Sequence, residues 1–339
     1  MTELPAIERF VASTGQRIYR IPCEAFPNFI AYVYLVFDAG PLTLIDTGSG
    51  YGNCNAQVMA GLEAVRTEFG EPFQVGDIRR ILITHGHIDH FGGVAHLLEL
   101  TGAALGIHVL DRWVLTAYEE RVIVATRALK TYLQRAGVDA ELETMLMEMY
   151  GFSKKHVRSV RVDITLADGQ EFDGMQFIHT PGHCPGQVCI AMGNVLISAD
   201  HILSHITPHQ APESITAYTG LGHYLEALEK VRRLPGFELA LGGHEVPIND
   251  VYTRIDEIRT SHERKLDRVI NTINESPDPV TISSITQAMY PRAIGFNTLL
   301  ALEEVGAHVE YLYQHGQLRV TNLDEVQTHI SPALRYRVA

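Results

Sequence analysis

Apolar positions along the chain follow two rhythms, a period of two near the start and a period close to 3.6 in several later stretches. Residues 17–48 alternate apolar and polar positions between turn residues, the pattern of a meander of β-strands. The densest apolar run within them, 29–37, is expected to be a buried strand. Residues 54–69 carry apolar side chains at helical spacing and are closed by Gly70. Short apolar runs at 80–84, 177–180, 195–198 and 237–241 read as strands, and a helical pattern opens at 91–98. Residues 112–156 predict a helix-rich insertion with a Met and aromatic stripe that includes Tyr118, Tyr132, Met147, Tyr150 and Phe152. Such a stripe is more often core or dimer contact than pocket. Beyond residue 249 the pattern is helical over 251–275, breaks at Pro277-Asp278-Pro279, resumes over 282–290 and 297–314, and closes with a strand-like 318–320.

The four strand-like runs share a feature that periodicity does not explain: each stops at a group able to hold a metal. The first ends at Thr-His-Gly-His-Ile-Asp-His, with His85, His87, Asp89 and His90 inside six positions. The others end at His183, Asp200 and His244. A single His among the 17 in this chain is ordinarily a surface or hydrogen-bonded core residue. Four ionisable donors in one turn are different, because packing them together is costly without a cation to neutralise and organise them. In an extended turn, side chains two apart point the same way, and the adjacent Asp89-His90 pair can face a second ion. Each group lies just past the carboxyl end of a strand, the edge at which layered α/β proteins build sites, so one edge can gather all seven.

The motifs His-x-His-x-Asp-His at 85–90, Thr-Pro-Gly-His at 180–183, Ser-Ala-Asp at 198–200 and Gly-Gly-His at 242–244 resemble, in order and spacing, those of the metallo-β-lactamase-fold hydrolase superfamily. The resemblance runs from about residue 17 to 249. It implies an α+β fold, a four-layer αββα sandwich, and a site for two divalent ions, zinc foremost, with manganese and iron sharing the ligand types. One ion would be held by His85, His87 and His183, the other by Asp89, His90 and His244, with Asp200 bridging. Asp46 matches an acidic residue that buttresses the metal loop. The implied nucleophile is a hydroxide shared by the ions, with Asp89 as the catalytic residue that orients it and takes part in proton transfer. Two positions depart from the usual pattern. Cys184 replaces Thr or Ser and is expected to be a small packed residue, and Glu245 replaces a small residue, either adding charge beside the site or standing as a solvated carboxylate. The fold hosts thioesterases, lactonases, nucleases, sulfur dioxygenases and β-lactamases, so it does not choose the substrate.

Composition limits the choice. The chain has 339 residues, 46% of them hydrophobic and 20% charged, enough for a large core in one large and one small domain. The division expected is a hydrolase domain over 1–255, carrying the insertion at about 112–156, and a second domain over 256–339. No apolar run approaches the ~20 residues that cross a bilayer. The first residues lack the pattern of an export signal, and the four cysteines form no Cys-x-x-Cys pair, so the cytoplasm is the expected location. The C-terminal order of three helices and a β-wing resembles the winged-helix appendage of one superfamily branch, as does the segment 200–208. Some relatives in that branch are endoribonucleases. Charge argues against that reading here: residues 259–339 hold 8 Lys or Arg and 9 Asp or Glu, a balance of 8 − 9 = −1, within a chain of net charge −13. The helix at 297–314 carries Glu303, Glu304 and Glu310 and no Lys or Arg, which would repel a phosphate backbone. The appendage is expected to pack on the hydrolase domain, close one side of the site, or pair with a second copy as a homodimer. Cleavage of a partly apolar acyl ester or thioester, such as an acyl-CoA, therefore ranks first, a metal-dependent endoribonuclease second and a non-catalytic ligand sensor third. The complete seven-residue set argues against the sensor.

Overall fold

A computed structural model describes residues 4–152 and 157–339, and the last residues of the expected insertion, 153–156, lie outside them. The described chain forms two compact units, one of 4–119, 157–208 and 227–255, the other of 120–152, 209–226 and 256–339.

The first unit is an α+β sandwich built on two sheets. Strands β1 (Glu8–Val11), β2 (Arg17–Phe26), β3 (Phe29–Phe37), β4 (Thr43–Ile45), β5 (Arg80–Leu82), β6 (Ala104–His108) and β7 (Ile164–Leu166) follow one another across the first sheet. Through β4 the pairing is antiparallel, joined by short turns as the alternating pattern predicts. From β4 to β7 it is parallel, and parallel neighbours need crossovers. Cys54–Thr67 supplies the first, and the helical segments Ile88–Phe91 and Val94–Thr101 supply the second. The second sheet holds β8 (Glu171–Phe172), β9 (Met175–His179), β10 (Val188–Met192), β11 (Val195–Ala199) and β12 (Leu239–Gly242) in the order β12-β11-β10-β9-β8. Ile18, Tyr34, Val36 and Leu82 of the first sheet share one core with Phe177, Ile190, Ile197 and Leu241 of the second. Residues 31–36 of β3 are buried one after another, which is why this strand reads as an unbroken apolar run.

The direction of the strands sets the site. β4 and β5 are parallel neighbours, so Asp46 and the 85–90 turn emerge at the same edge. In the second sheet β9, β11 and β12 all run the same way, because β10 is antiparallel to both its neighbours and β11 is parallel to β12. His183, Asp200 and His244 therefore leave from one edge too. A bond from the Val188 N–H to the Thr84 carbonyl, 2.9 Å, joins the two sheets beside it.

The second unit is mostly helical. Tyr118–Arg135 and Ala140–Phe152 come from the insertion, and Val251–Glu275, Ile282–Met289 and Phe296–Gln314 from the C-terminal part, the first and third of these five beginning in or beside the first unit. Leu129, Tyr132, Leu133 and Leu146 of the insertion pack in one core with Val269, Ile285, Leu302 and Val305, and Met147 and Tyr150 pack against it. The Met and aromatic stripe is thus spent largely on folding. Leu318–Val320 and Tyr336–Val338 close the unit as a two-stranded antiparallel sheet, with a short helix, Leu323–Thr328, in their connection that the apolar pattern did not mark. Among the described residues no helix is long and apolar enough to cross a membrane.

Candidate metal centre

All seven donors gather in the first unit. Nitrogen or oxygen atoms of His85, His87 and His183 lie within 4.8 Å of one another, as do those of Asp89, His90 and His244. Asp200 stands between the two groups. Its Oδ2 is 3.6 Å from His183 Nε2 and 4.0 Å from His85 Nε2 on one side and 3.3 Å from His244 Nε2 on the other, while its Oδ1 is 3.4 Å from His90 Nε2. Asp89 Oδ2 approaches His244 Nε2 to 3.3 Å and His90 Nε2 to 3.7 Å. His87 and Asp89 are partly exposed and the other five are buried, so those two border the opening.

Local backbone explains how one short segment supplies four of these groups. Past β5 the chain bends at His85 and Gly86, is extended at His87, and then turns into the short helix Ile88–Phe91, which brings Asp89 and His90 back over the same point. Asp46 braces the turn from below. Its carboxylate accepts the Thr84 backbone N–H and hydroxyl, each at 2.8 Å, and pairs with His90 Nδ1 at 2.8 Å. The Asp46 backbone is left-handed, φ 59°, a strained conformation for a residue with a side chain and one held by these bonds. Two more imidazoles are oriented in the same fashion, His85 Nδ1 by the Thr84 hydroxyl at 3.1 Å and His244 Nδ1 by the Ile30 carbonyl at 2.7 Å. With these three Nδ1 atoms directed at oxygens, Nε2 is the atom each leaves facing the cage.

These atoms fit a cation. The Nε2 atoms of His85, His90 and His244 and the Oδ1 of Asp200 are buried without a hydrogen-bond partner, a costly state for polar atoms unless something of positive charge satisfies them. Gly243 keeps the space open, since a Cβ there would lie 2.3 Å from Asp200 Oδ1 and 2.5 Å from His90 Cε1. Electrostatics are consistent with this. Burial lowers His85 well below the ordinary imidazole value and His87 to about 3, leaving both neutral at pH 7. Burial acts the same way on His90 and His244, but the adjacent Asp200 and Asp89 carboxylates outweigh it and hold His90 well above its usual value and His244 at about 10. For the carboxylates burial favours the neutral form and the neighbouring imidazoles reverse it, bringing Asp89 to about 2 and Asp200 well below the usual range.

The two departures are resolved by position. Cys184 is buried, and burial pushes its thiol up, so it packs as an inert neutral group. Glu245 is no solvated carboxylate. It accepts from the Ser204 hydroxyl and from the His205 and Ile206 N–H groups, at 2.7 to 3.2 Å, and so ties down the loop that follows Asp200. Asp111, which the sequence pattern did not single out, accepts the N–H groups of Gly86 and Gly186. The only hint of it is an acidic residue just beyond a strand.

A further group of donors, His262, Glu304 and His308, lies in the second unit, also within 4.8 Å of one another. Its carboxylate is already occupied: Lys265 Nζ is 2.6 Å from one oxygen and the Gln210 N–H 2.9 Å from the other. His308 Nδ1 is 2.6 Å from the Glu304 carbonyl, and its Nε2 is 3.1 Å from His262 Nδ1. With an ammonium neutralising its one carboxylate, this is a buried hydrogen-bonded network and not a cation cage. It also accounts for the acidic helix. Glu304 is internal, and Glu310 accepts the Glu213 and Ser214 N–H groups, so neither is a free surface charge.

Comparison with known proteins agrees with this geometry. The family model of the metallo-beta-lactamase superfamily matches residues 27–271. The chain is 25% identical over 243 residues to a protein of Bacillus subtilis named probable metallo-hydrolase YflN, covering 67% of this chain and 84% of the relative. It is 19% identical over 275 residues to the atrochrysone carboxyl ACP thioesterase of Aspergillus fumigatus, covering 76% and 68%. In fold it is similar to the crystal structure of a metallo-beta-lactamase family protein from Thermus thermophilus, with a TM-score of 0.75, 23% identity, and coverage of 95% of this chain and 98% of that one.

Proposed function

The chain belongs to the metallo-beta-lactamase superfamily and is a metal-dependent hydrolase, and from that premise we propose that it uses two divalent ions to cleave an ester or thioester of a partly apolar acyl group. The observation that carries this reading is the position of Asp200, whose carboxylate lies within 4.0 Å of imidazoles of both donor groups, His85 and His183 of one and His90 and His244 of the other. His85, His87 and His183 would hold the first ion, Asp89, His90 and His244 the second, and Asp200 both. When bound, the two ions supply Lewis-acid activation of a water and of the scissile carbonyl, with zinc the best match to this donor set.

The chain itself supplies positions and a proton acceptor. Asp89 is the carboxylate at the opening, within reach of an attacking water on the substrate side, and can take a proton at Oδ2 and pass it to the leaving group. His244 carries the aromatic ring of Phe29 at 4.4 Å between centroids, and Phe29 is partly exposed, which gives the opening an apolar flank suited to an acyl chain. The name of the Aspergillus relative supports a thioester as the bond broken. The three helices and small sheet of the C-terminal segment fit a winged-helix reading of that part.

The test is turnover of an acyl thioester panel by the zinc-loaded chain with detection of free thiol, beside elemental analysis. The expected result is two metal equivalents in the native chain, one after His183→Ala or His87→Ala, and a rate lowered by orders of magnitude in both variants. Unchanged metal content in both would overturn the assignment. Cleavage of single-stranded RNA at catalytic protein levels, with no thioester turned over, would replace the substrate class.

A further inference from the structure

We propose that Asp111 is a positioning residue for the first metal group, acting as a clamp between the two loops that carry it; this rests on the reading of His85, His87 and His183 as ligands of one ion. These three come from different sheets. His85 and His87 follow β5, while His183 follows β9, and among the described residues these strands belong to separate sheets. A shift of a few tenths of an ångström between them would alter the distances among all three imidazoles. Asp111 spans the gap. One carboxylate oxygen accepts the N–H of Gly86, the residue between His85 and His87, at 2.8 Å. The other accepts the N–H of Gly186, three residues after His183, at 2.9 Å.

Three further facts indicate a built clamp. Asp111 is buried, 1% exposed, so its charge has been taken out of water, which costs free energy unless its bonds are well made. Both donating positions are glycines with the carboxylate pressed against them: a Cβ on Gly186 would lie 2.7 Å from Asp111 Cγ, and one on Gly86 3.2 Å from it. Asp111 is itself held by its backbone, its N–H bonded to the His108 carbonyl at the end of β6. The strand beside β5 thus sets where the clamp sits, and the clamp sets how far apart the loops stand. A carboxylate is suited to this task because both of its oxygens accept, whereas an Asn would turn an N–H₂ toward one of the two N–H groups.

The measurement is zinc affinity by chelator competition, with elemental analysis, for the native chain and for Asp111→Asn, Asp111→Ala and Gly186→Ala, each first shown to keep the native far-ultraviolet dichroism. Loss of outer partners typically weakens metal binding 10- to 100-fold, and a loss of that order is expected for the ion of the His183 group in all three variants. The ion of the Asp89, His90 and His244 group should be retained. Gly186→Ala approaches the same bond from the other side, so it keeps the test open if Asp111→Ala does not fold. The cobalt-substituted protein adds a spectroscopic readout, because a purely structural role would lower the melting temperature and leave the ligand-field bands of the folded protein unchanged. Native affinity and native bands in the three variants would overturn the clamp alone. A native chain that binds no ion through His183, judged by His183→Ala, would overturn the clamp and the two-ion reading together.

Discussion

At the scale of single residues, the site depends as much on what is missing as on what is present. Gly243 precedes His244, and a methyl there would press on Asp200 and His90 together, both of them buried with little room to yield. Gly243→Ala is therefore expected to displace the carboxylate shared by the two donor groups, lowering metal content and turnover by at least tenfold while helix content stays native; full metal content by elemental analysis would contradict this. The identity of the seven donors was legible in the sequence because coordination chemistry admits few side chains and four of them fall in one turn. Their orientation was not. It comes from Nδ1 partners as distant as the Ile30 carbonyl, 214 positions from His244, and a main-chain carbonyl leaves no mark in the sequence.

At the scale of elements, the loop after Asp200 is instructive. Residues 204–206 form no regular structure, yet their N–H and hydroxyl groups converge on the Glu245 carboxylate, and the Arg254 guanidinium donates to the carbonyls of Leu203, His205 and Ile206. Bonds to a charged acceptor contribute about 1.5–3 kcal/mol each, so their loss is felt locally. In Glu245→Ala the His205 and Ile206 amides should exchange with deuterium about tenfold faster or more, with exchange in β11 and β12 unchanged, as read by mass spectrometry of peptides. Equal exchange at 205 and 206 would show that Arg254 alone holds the loop. Strands β2 to β5, β9, β11 and β12 and the helices over 54–67, 251–275, 282–289 and 296–314 were readable from periodicity, usually to within two or three residues: Val251–Glu275 and Leu318–Val320 lie where the pattern placed them. The short helix Leu323–Thr328 and the edge strand β1 were not, because they bury little and so carry no strong apolar rhythm, and the pattern also left β6, β7, β8, β10 and the helix Leu221–Arg232 unmarked.

For the molecule as a whole, the second unit links folding to pH. Burial lowers His262 to about 3, whereas an exposed imidazole in the unfolded chain titrates near 6.5. Between these values the unfolded chain binds a proton that the folded chain does not. The stability His262 contributes is therefore complete above about pH 6.5 and is lost as pH falls toward 3. Between pH 7.5 and 5 this one group should remove about 2 kcal/mol from the metal-free chain. Urea unfolding at the two pH values, compared with His262→Phe, reads it out. A variant that loses as much stability as the native chain over that interval would show that His262 is not the source.

The local message of the chain was enough to pick out the seven candidate donors, the strand ends that carry them and, through the order of their motifs, the family resemblance with its α+β class, because each depends on residue types in short motifs. Tertiary structure alone decided the partners of those elements. The insertion's apolar stripe, the acidic residues of the 297–314 helix and Glu245 each carried two plausible roles in the sequence. Burial and hydrogen bonding assigned the stripe to a core shared with the C-terminal helices, Glu304 to an internal network with Lys265, and Glu245 to the loop beside the site. The reason is physical: periodicity records that a face must be covered, and a charge records that it must be paired, but neither specifies which distant part of the chain will do so.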